Sequence, residues 1–145
     1  MGTYAFAPKL EDANMMAEHP NAVRIRALYD LGSDMDAVAD ALADDIVWHV
    51  PGRGAMSGVT RGKEATLALF QKAIPGLETF KIEVHDVLAN DTHAVALVRY
   101  DHRRDGRAFS QLGAEVYHFD EAGRISAFWA LSDDTMAHDE FFADD

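Results

Sequence analysis

The chain has 145 residues, a length that fits one domain and buries about 70% of its unfolded surface without a metal or disulfide. It is 48% hydrophobic and 26% charged and has no cysteine, which excludes disulfide frameworks, thiolate metal sites and cysteine nucleophiles. A net charge of -12, from 13 basic and 25 acidic residues, repels phosphate backbones and anionic lipid, so neither nucleic acid nor membrane is an expected partner.

Residues 1–18 read as an N-terminal extension. They hold no basic segment leading into an apolar run, so no secretory leader is expected, and Phe6 stands where a myristoylation motif takes Ser or Thr. No window reaches the roughly 18 apolar residues of a membrane span, and the expected location is the cytoplasm. Pro20 opens a predicted helix that runs to Leu31 and stops at Gly32, with Ala22, Ile25, Leu28 and Tyr29 on one face. Ser33 or Asp34 caps a second, short helix with Val38, Ala41 and Leu42 inward. Ile46 to Val50 is a β-rich run ended by Pro51-Gly52. A loop through Gly54 and Gly58 then leads to a third helix, Lys63 to Ile74, terminated by Pro75-Gly76.

After Gly76 the period turns from helical to alternating. Phe80, Ile82 and Val84 alternate with Lys81, Glu83 and His85, which marks a strand with one wet face. Ala94 to Arg103 and Ala108 to Phe119 are two strands joined at Asp105-Gly106, a strong hairpin signal, and Arg124 to Ser132 closes the sheet. The order ααβαββββ is that of an α+β domain with helices gathered on one face of a curved sheet. The last thirteen residues carry six acids and no base, yet also Met136, Phe141 and Phe142. They read as a short helix, docked through those three residues with its acids outward.

The hairpin also assigns faces. With Asp105 and Gly106 as loop residues, Arg104 pairs with Arg107, and Glu115 lies opposite Ala96, Gly113 opposite Val98, Gln111 opposite Tyr100, and Phe109 opposite His102. All eight share one face, because side chains alternate along a strand. Val95, Leu97, Leu112, Ala114 and Val116 share the other with Arg99. Large apolar patches of this kind are seldom left open, so a two-fold homodimer through that outer face is expected.

The segments HPNAVRIRALYDLGSDMDAV, LADDIVWHVPGRGAMSGVTRGKEATLALF, HAVALVRYDHRRDGRAF and FDEAGRISAFWALSDD resemble the SnoaL-like group of the nuclear transport factor two-like, or ketosteroid isomerase-like, superfamily. ADDIVWHVPG and GVTRGKEA carry the resemblance most specifically. It covers residues 19–134, leaving 135–145 as an acidic C-terminal helix or tail. The resemblance implies a cystatin-like cone, a curved mixed or antiparallel sheet wrapped around three helices with an apolar cavity at the wide end. Isomerases, polyketide cyclases, dehydratases and epoxide hydrolases share that fold with members of no known chemistry, so fold does not decide function. Position by position, the isomerase base falls at Val50, which cannot take a proton. The isomerase tyrosine falls at Ile25, which removes half of that oxyanion hole, and the isomerase's protonated acid falls at Glu115. The last carboxylate of limonene-type epoxide hydrolases falls at Ala130, and the hairpin register turns Arg99 and Asp101 to the wrong face.

Glu115 is therefore the main catalytic candidate, because an acid in an apolar cavity has its pKa raised toward the range that suits proton transfer to carbon. An ion pair with an arginine, or a wet rim position, would give the same residue a structural role. Tyr100 and His102 share its face as candidates to orient a substrate oxygen or carry a second proton, although a histidine near a hairpin end is expected to be exposed. Trp48, Val50, Val98, Gln111, Gly113, Phe128 and Ala130 are the expected substrate contacts, with Gly113 leaving room for the ligand and Met56 as a lid in a glycine-flanked loop. Seven histidines show no His-x-His or His-x-x-x-His spacing, and no glycine-rich phosphate loop is present, so neither metal nor cofactor is expected. Two functions fit first, cofactor-independent proton-transfer chemistry on an apolar organic molecule or non-enzymatic binding of such a molecule; a protein-interaction module on the same fold is a third.

Overall fold

A computed structural model describes residues 18–32 and 34–143. The expectations for residues 1–17 and for Ser33 as a cap lie outside them. Pro20 occupies the first turn of α1 (Pro20–Asp30), whose cap is the His19 ring accepting from the Asn21 N–H. Asp34 caps α2 (Met35–Ala41) by accepting from the Ala37 N–H at 3.1 Å. Leu42, expected in that helix, instead begins β1 (Leu42–Val50). The supposed loop after Gly54 contains a short strand, β2 (Gly58–Arg61), so the described residues form six strands and not five. Next come α3 (Lys63–Ala73), β3 (Thr79–Ala89), β4 (His93–Arg104), β5 (Arg107–Phe119), β6 (Ile125–Ser132) and α4 (Thr135–Phe141).

The strands form one sheet in the order β2-β1-β6-β5-β4-β3. Only β1 and β6 run parallel; the other neighbours are antiparallel. Asp105 (φ 48°) and Gly106 (φ 76°) make the two-residue turn between β4 and β5. The expected register holds throughout that hairpin, from Arg104 opposite Arg107 to Ala96 opposite Glu115. Register shifts at Val84/Asp86 and at His118/Phe119 add twist and bend the long strands around the helices. The concave face carries the core: Ala96, Val98, Tyr100, Phe109, Tyr117 and Phe128 are buried there with Ile25 of α1 and Ile46 of β1. The convex face leaves Leu112 59% exposed, with Leu97 and Leu131 also open. Arg99 and Asp101 are on that face too, 3.6 Å apart and away from the interior.

Helix α4 folds back onto the hairpin end of β5. Gln111 holds its start by exchanging two hydrogen bonds with the backbone of Asp134, and Asp134 caps the Ala137 N–H. Phe141 is buried, but Met136 is 74% exposed. Of the three apolar residues expected to dock, the phenylalanines do so and Met136 does not. Met136 sits in the first turn, on the side of this short helix that faces water.

Candidate functional site

The concave sheet, α1, α3 and α4 enclose a cavity of about 220 Å³. Trp48 and Phe128, neighbours across the β1–β6 ladder, stack at 3.6 Å between ring centroids, and Phe70 of α3 meets Trp48 edge-on. Val50, Met56 and Ala130 also line the cavity. No Lys or Arg does so among the described residues.

Glu115 is the one acid in this lining, and it is 7% exposed. Neither an arginine nor bulk water accounts for it. Instead three tyrosines converge on it. The Tyr29 hydroxyl donates to Oε1 at 2.5 Å and the Tyr100 hydroxyl donates to Oε2 at 2.9 Å. Tyr29 has one proton to give, so at its 2.7 Å contact with Tyr117 it is Tyr117 that donates. Burial pushes the Glu115 carboxyl up from its ordinary pKa, and the two hydroxyls donating to it hold it partly back. Burial and the nearby carboxylate raise the pKa of all three tyrosines, so they keep their protons.

The sequence placed Tyr29 on the inward face of its helix but did not mark it as a site residue. It lies one helical turn beyond Ile25, the position where the isomerase tyrosine falls, and supplies from there a hydroxyl that Ile25 cannot. Tyr117, two residues after Glu115 on the same strand face, was overlooked as well.

Three expected contacts take other roles. A Cβ on Gly113 would lie 2.4 Å from Cε2 of Tyr100 and 2.8 Å from the Leu131 carbonyl oxygen. The space left by Gly113 thus houses the Tyr100 ring and not a ligand. Val98 is buried in the core and does not line the cavity. Gln111 serves α4, as described above.

His102 is also corrected: it is 4% exposed, stacked on Phe80 at 4.7 Å and packed against Phe109. The hairpin end is not open, because α4 and β3 cover it. Its Nδ1 accepts the Lys81 N–H at 3.2 Å, and burial lowers its pKa to about 4. His138 of α4 lines the same end, edge-on to Phe109 at 5.5 Å, and burial lowers its pKa too.

The glycine-flanked loop is latched to α4. Asp139 accepts from the Arg53 N–H at 2.8 Å and from the Ser57 hydroxyl at 3.0 Å, and these contacts keep its carboxyl below the usual range. A Cβ on Gly52 or Gly54 would lie 2.4 or 2.8 Å from the Asp139 carboxylate, so the approach requires glycine at both positions. The latch joins two cavity walls, Met56 from the loop and His138 and Phe142 from α4. Within the described residues no cluster of His, Asp or Glu has the arrangement of a metal site.

The model of the SnoaL-like domain matches residues 25–128. The chain belongs to the SnoaL-like family. Its fold is that of the nuclear transport factor two-like superfamily. Bal32a, from a soil-derived mobile gene cassette, is 28% identical with a TM-score of 0.79, covering 84% of this chain and 95% of its own. An NTF2-like protein of unknown function from Burkholderia pseudomallei is 19% identical over 87% of this chain and 100% of its own, with a TM-score of 0.76. TerC, co-crystallised with polyporic acid, is 15% identical over 86% of this chain and 98% of its own, with a TM-score of 0.74. No curated protein matches the sequence. No helix of the described residues is long and apolar enough to cross a membrane.

Proposed function

We propose that this SnoaL-like protein is a cofactor-independent enzyme that moves a proton to or from carbon in a small, largely apolar organic molecule. Isomerisation, cyclisation and dehydration are the reactions of that class. The observation that carries the proposal is a buried carboxyl with a raised pKa, held by two hydroxyl donors at the wall of an apolar cavity. As a carboxylate, Glu115 takes a proton from a carbon next to a carbonyl; as the acid, it returns the proton to another atom of the same molecule. Tyr29 and Tyr100 fix its orientation and stabilise its charged form, which keeps the proton exchangeable. Trp48, Phe128 and Ala130 wall the substrate and keep water away. TerC gives family-fold support for a small-molecule site, since it was crystallised with polyporic acid. The proposal includes a cytoplasmic homodimer joined through the convex face, supported by the open Leu97, Leu112 and Leu131.

The test is deuterium exchange at the carbons beside the carbonyl of 2-tetralone, an uncharged two-ring ketone, followed in D2O by proton NMR. The protein should accelerate exchange over buffer, and Glu115→Gln should lower that acceleration by about 100- to 10,000-fold while the affinity for the ketone stays within a few-fold. Binding without acceleration would leave a ligand-binding protein and refute the enzyme.

A further inference from the structure

The convex face of the sheet carries a cluster of rings that the cavity does not use. Across the ladders, one rung runs from Val59 through His49, Trp129, Val116 and Val95 to Leu88. The next runs from Arg61 through Val47 and Ala127 to His118 and His93. Paired residues share a face, so three histidines gather around Trp129. The His49 ring lies flat on the Trp129 indole at 4.3 Å between centroids. His118 is tilted against the same indole at 4.8 Å, and His93 meets His118 edge-on at 4.2 Å. His49 donates its Nδ1–H to the Phe128 carbonyl at 2.8 Å, so Nε2 is the nitrogen that takes a proton. The Nδ1 of His93 is 2.7 Å from the Thr92 hydroxyl.

The charges around this cluster do not balance a protonated ring. They are Arg61 on β2, Asp45 early in β1 and, farther along the face, Arg99 with Asp101 on β4 and Lys81 with Glu83 on β3. In the turns at the histidine end, Asp91 binds His19 and Asp120 caps its own turn. Among the described residues no carboxylate is bonded to any of the three rings. Protonation would set like charges beside one another and beside Arg61. Partial burial, and then His93 and His49, already hold the His118 ring below the ordinary histidine pKa.

Charge also selects what covers the face. At a net charge of -12, two copies of the chain repel one another over most of their surface. The convex face differs: its two rungs are mostly apolar and imidazole, Leu97, Leu112 and Leu131 are open beside them, and Arg99 and Asp101 neutralise each other at 3.6 Å. A two-fold contact sets this face against itself, which removes water from the histidines of both copies.

We infer that the convex face takes a second copy of this chain only while His49, His93 and His118 are uncharged, so that mild acid releases the dimer. This rests on the homodimer reading and not on the cavity or its chemistry. The sign follows from linkage. A histidine that must stay neutral in the dimer supports it fully above its ordinary pKa of about 6.5 and opposes it as pH falls below that value.

Sedimentation velocity of the full chain over a concentration series, at about pH 7.5 and about pH 5.5, tests it. Keeping one ordinary histidine neutral at the lower pH weakens association about tenfold per copy, hence about 100-fold for the pair. The dimer Kd should therefore rise by at least about 100-fold, reversibly and with unchanged far-ultraviolet circular dichroism. His49→Gln/His93→Gln/His118→Gln removes the titration and should hold the Kd level; His118→Gln alone, a milder change, should flatten part of the rise. A parent with the same dimer Kd at both pH values overturns the inference and leaves the homodimer standing. A parent that is monomeric at the higher pH overturns both and leaves the face to another partner. Acid sensitivity that persists in both variants, or that comes from unfolding, also overturns the inference, because a different group is then titrating.

Discussion

Tyr29→Phe removes one oxygen and breaks two bonds. Glu115 Oε1 loses a 2.5 Å donor, a charge-assisted contact worth about 1.5–3 kcal/mol. The Tyr117 hydroxyl, on a residue 2% exposed, loses the partner to which it donates, and a buried unsatisfied hydroxyl costs about 1–3 kcal/mol. The variant should therefore lose about 3–5 kcal/mol, a large part of the stability of a domain this size. Tyr100→Phe, which breaks the single 2.9 Å contact to Oε2, should lose about 1.5–3 kcal/mol. Tyr117→Phe leaves no orphaned donor and should lose only about 1 kcal/mol. The double variant Tyr29→Phe/Tyr117→Phe should cost less than the sum of its parts, because the group stranded by the first change is removed by the second. Urea unfolding of the parent and the four variants, at unchanged m-value, measures the series. Additive costs, or a Tyr117→Phe as damaging as Tyr29→Phe, would refute the chain from Tyr117 through Tyr29 to Glu115.

Gly113→Ala should destabilise by about 1–3 kcal/mol through the Tyr100 ring and the Leu131 carbonyl, and less in a Tyr100→Ala background, where only the backbone clash remains; equal costs in the two backgrounds by urea unfolding would refute the contact with the Tyr100 ring. His102 is neutral when folded down to a pKa of about 4 but takes a proton near pH 6.5 when unfolded. Its contribution is therefore full above pH 6.5 and is lost as pH falls toward 4, by about 3 kcal/mol. His102→Gln should flatten that part of the stability–pH curve, and an unchanged slope counts against the buried neutral ring. Asp139→Ala should release the loop from α4 and speed dissociation of 2-tetralone in stopped-flow by several-fold or more, whereas an unaltered rate means the latch does not govern the cavity wall. Sedimentation equilibrium should give about twice 16.0 kDa for the parent and a shift toward monomer for Leu112→Lys; a monomeric parent ends the dimer proposal.

The hairpin made the inner face legible. Asp105-Gly106 admits one tight turn, and from that register alternation carried Glu115, Tyr100 and His102 inward over the whole length of β4 and β5. What lies against those residues was not legible, because it comes from elements distant in sequence. Tyr29 was visible as an inward residue of its helix, but its contact with Glu115 spans 86 positions and follows from how α1 seats in the cone. His102 looked exposed because a hairpin end usually is; the docking of α4 and Phe80 reverses that. His138 and Asp139 were hidden in an acidic run whose charge suggested only a solvated surface. Strand β2 escaped notice because Gly58–Arg61 is short, lies at the sheet edge and buries little.

The account rests on Glu115 as a buried carboxyl whose protonation is shifted by its surroundings. The direct measurement is its own titration, read from the side-chain carboxyl carbon by NMR in protein labelled at glutamate and assigned with Glu115→Gln. The account predicts a midpoint clearly above the ordinary glutamate value of about 4.3, moving higher still in Tyr100→Phe as a donor to the charged form is lost. A midpoint at or below the ordinary value, unmoved by Tyr100→Phe, would contradict it.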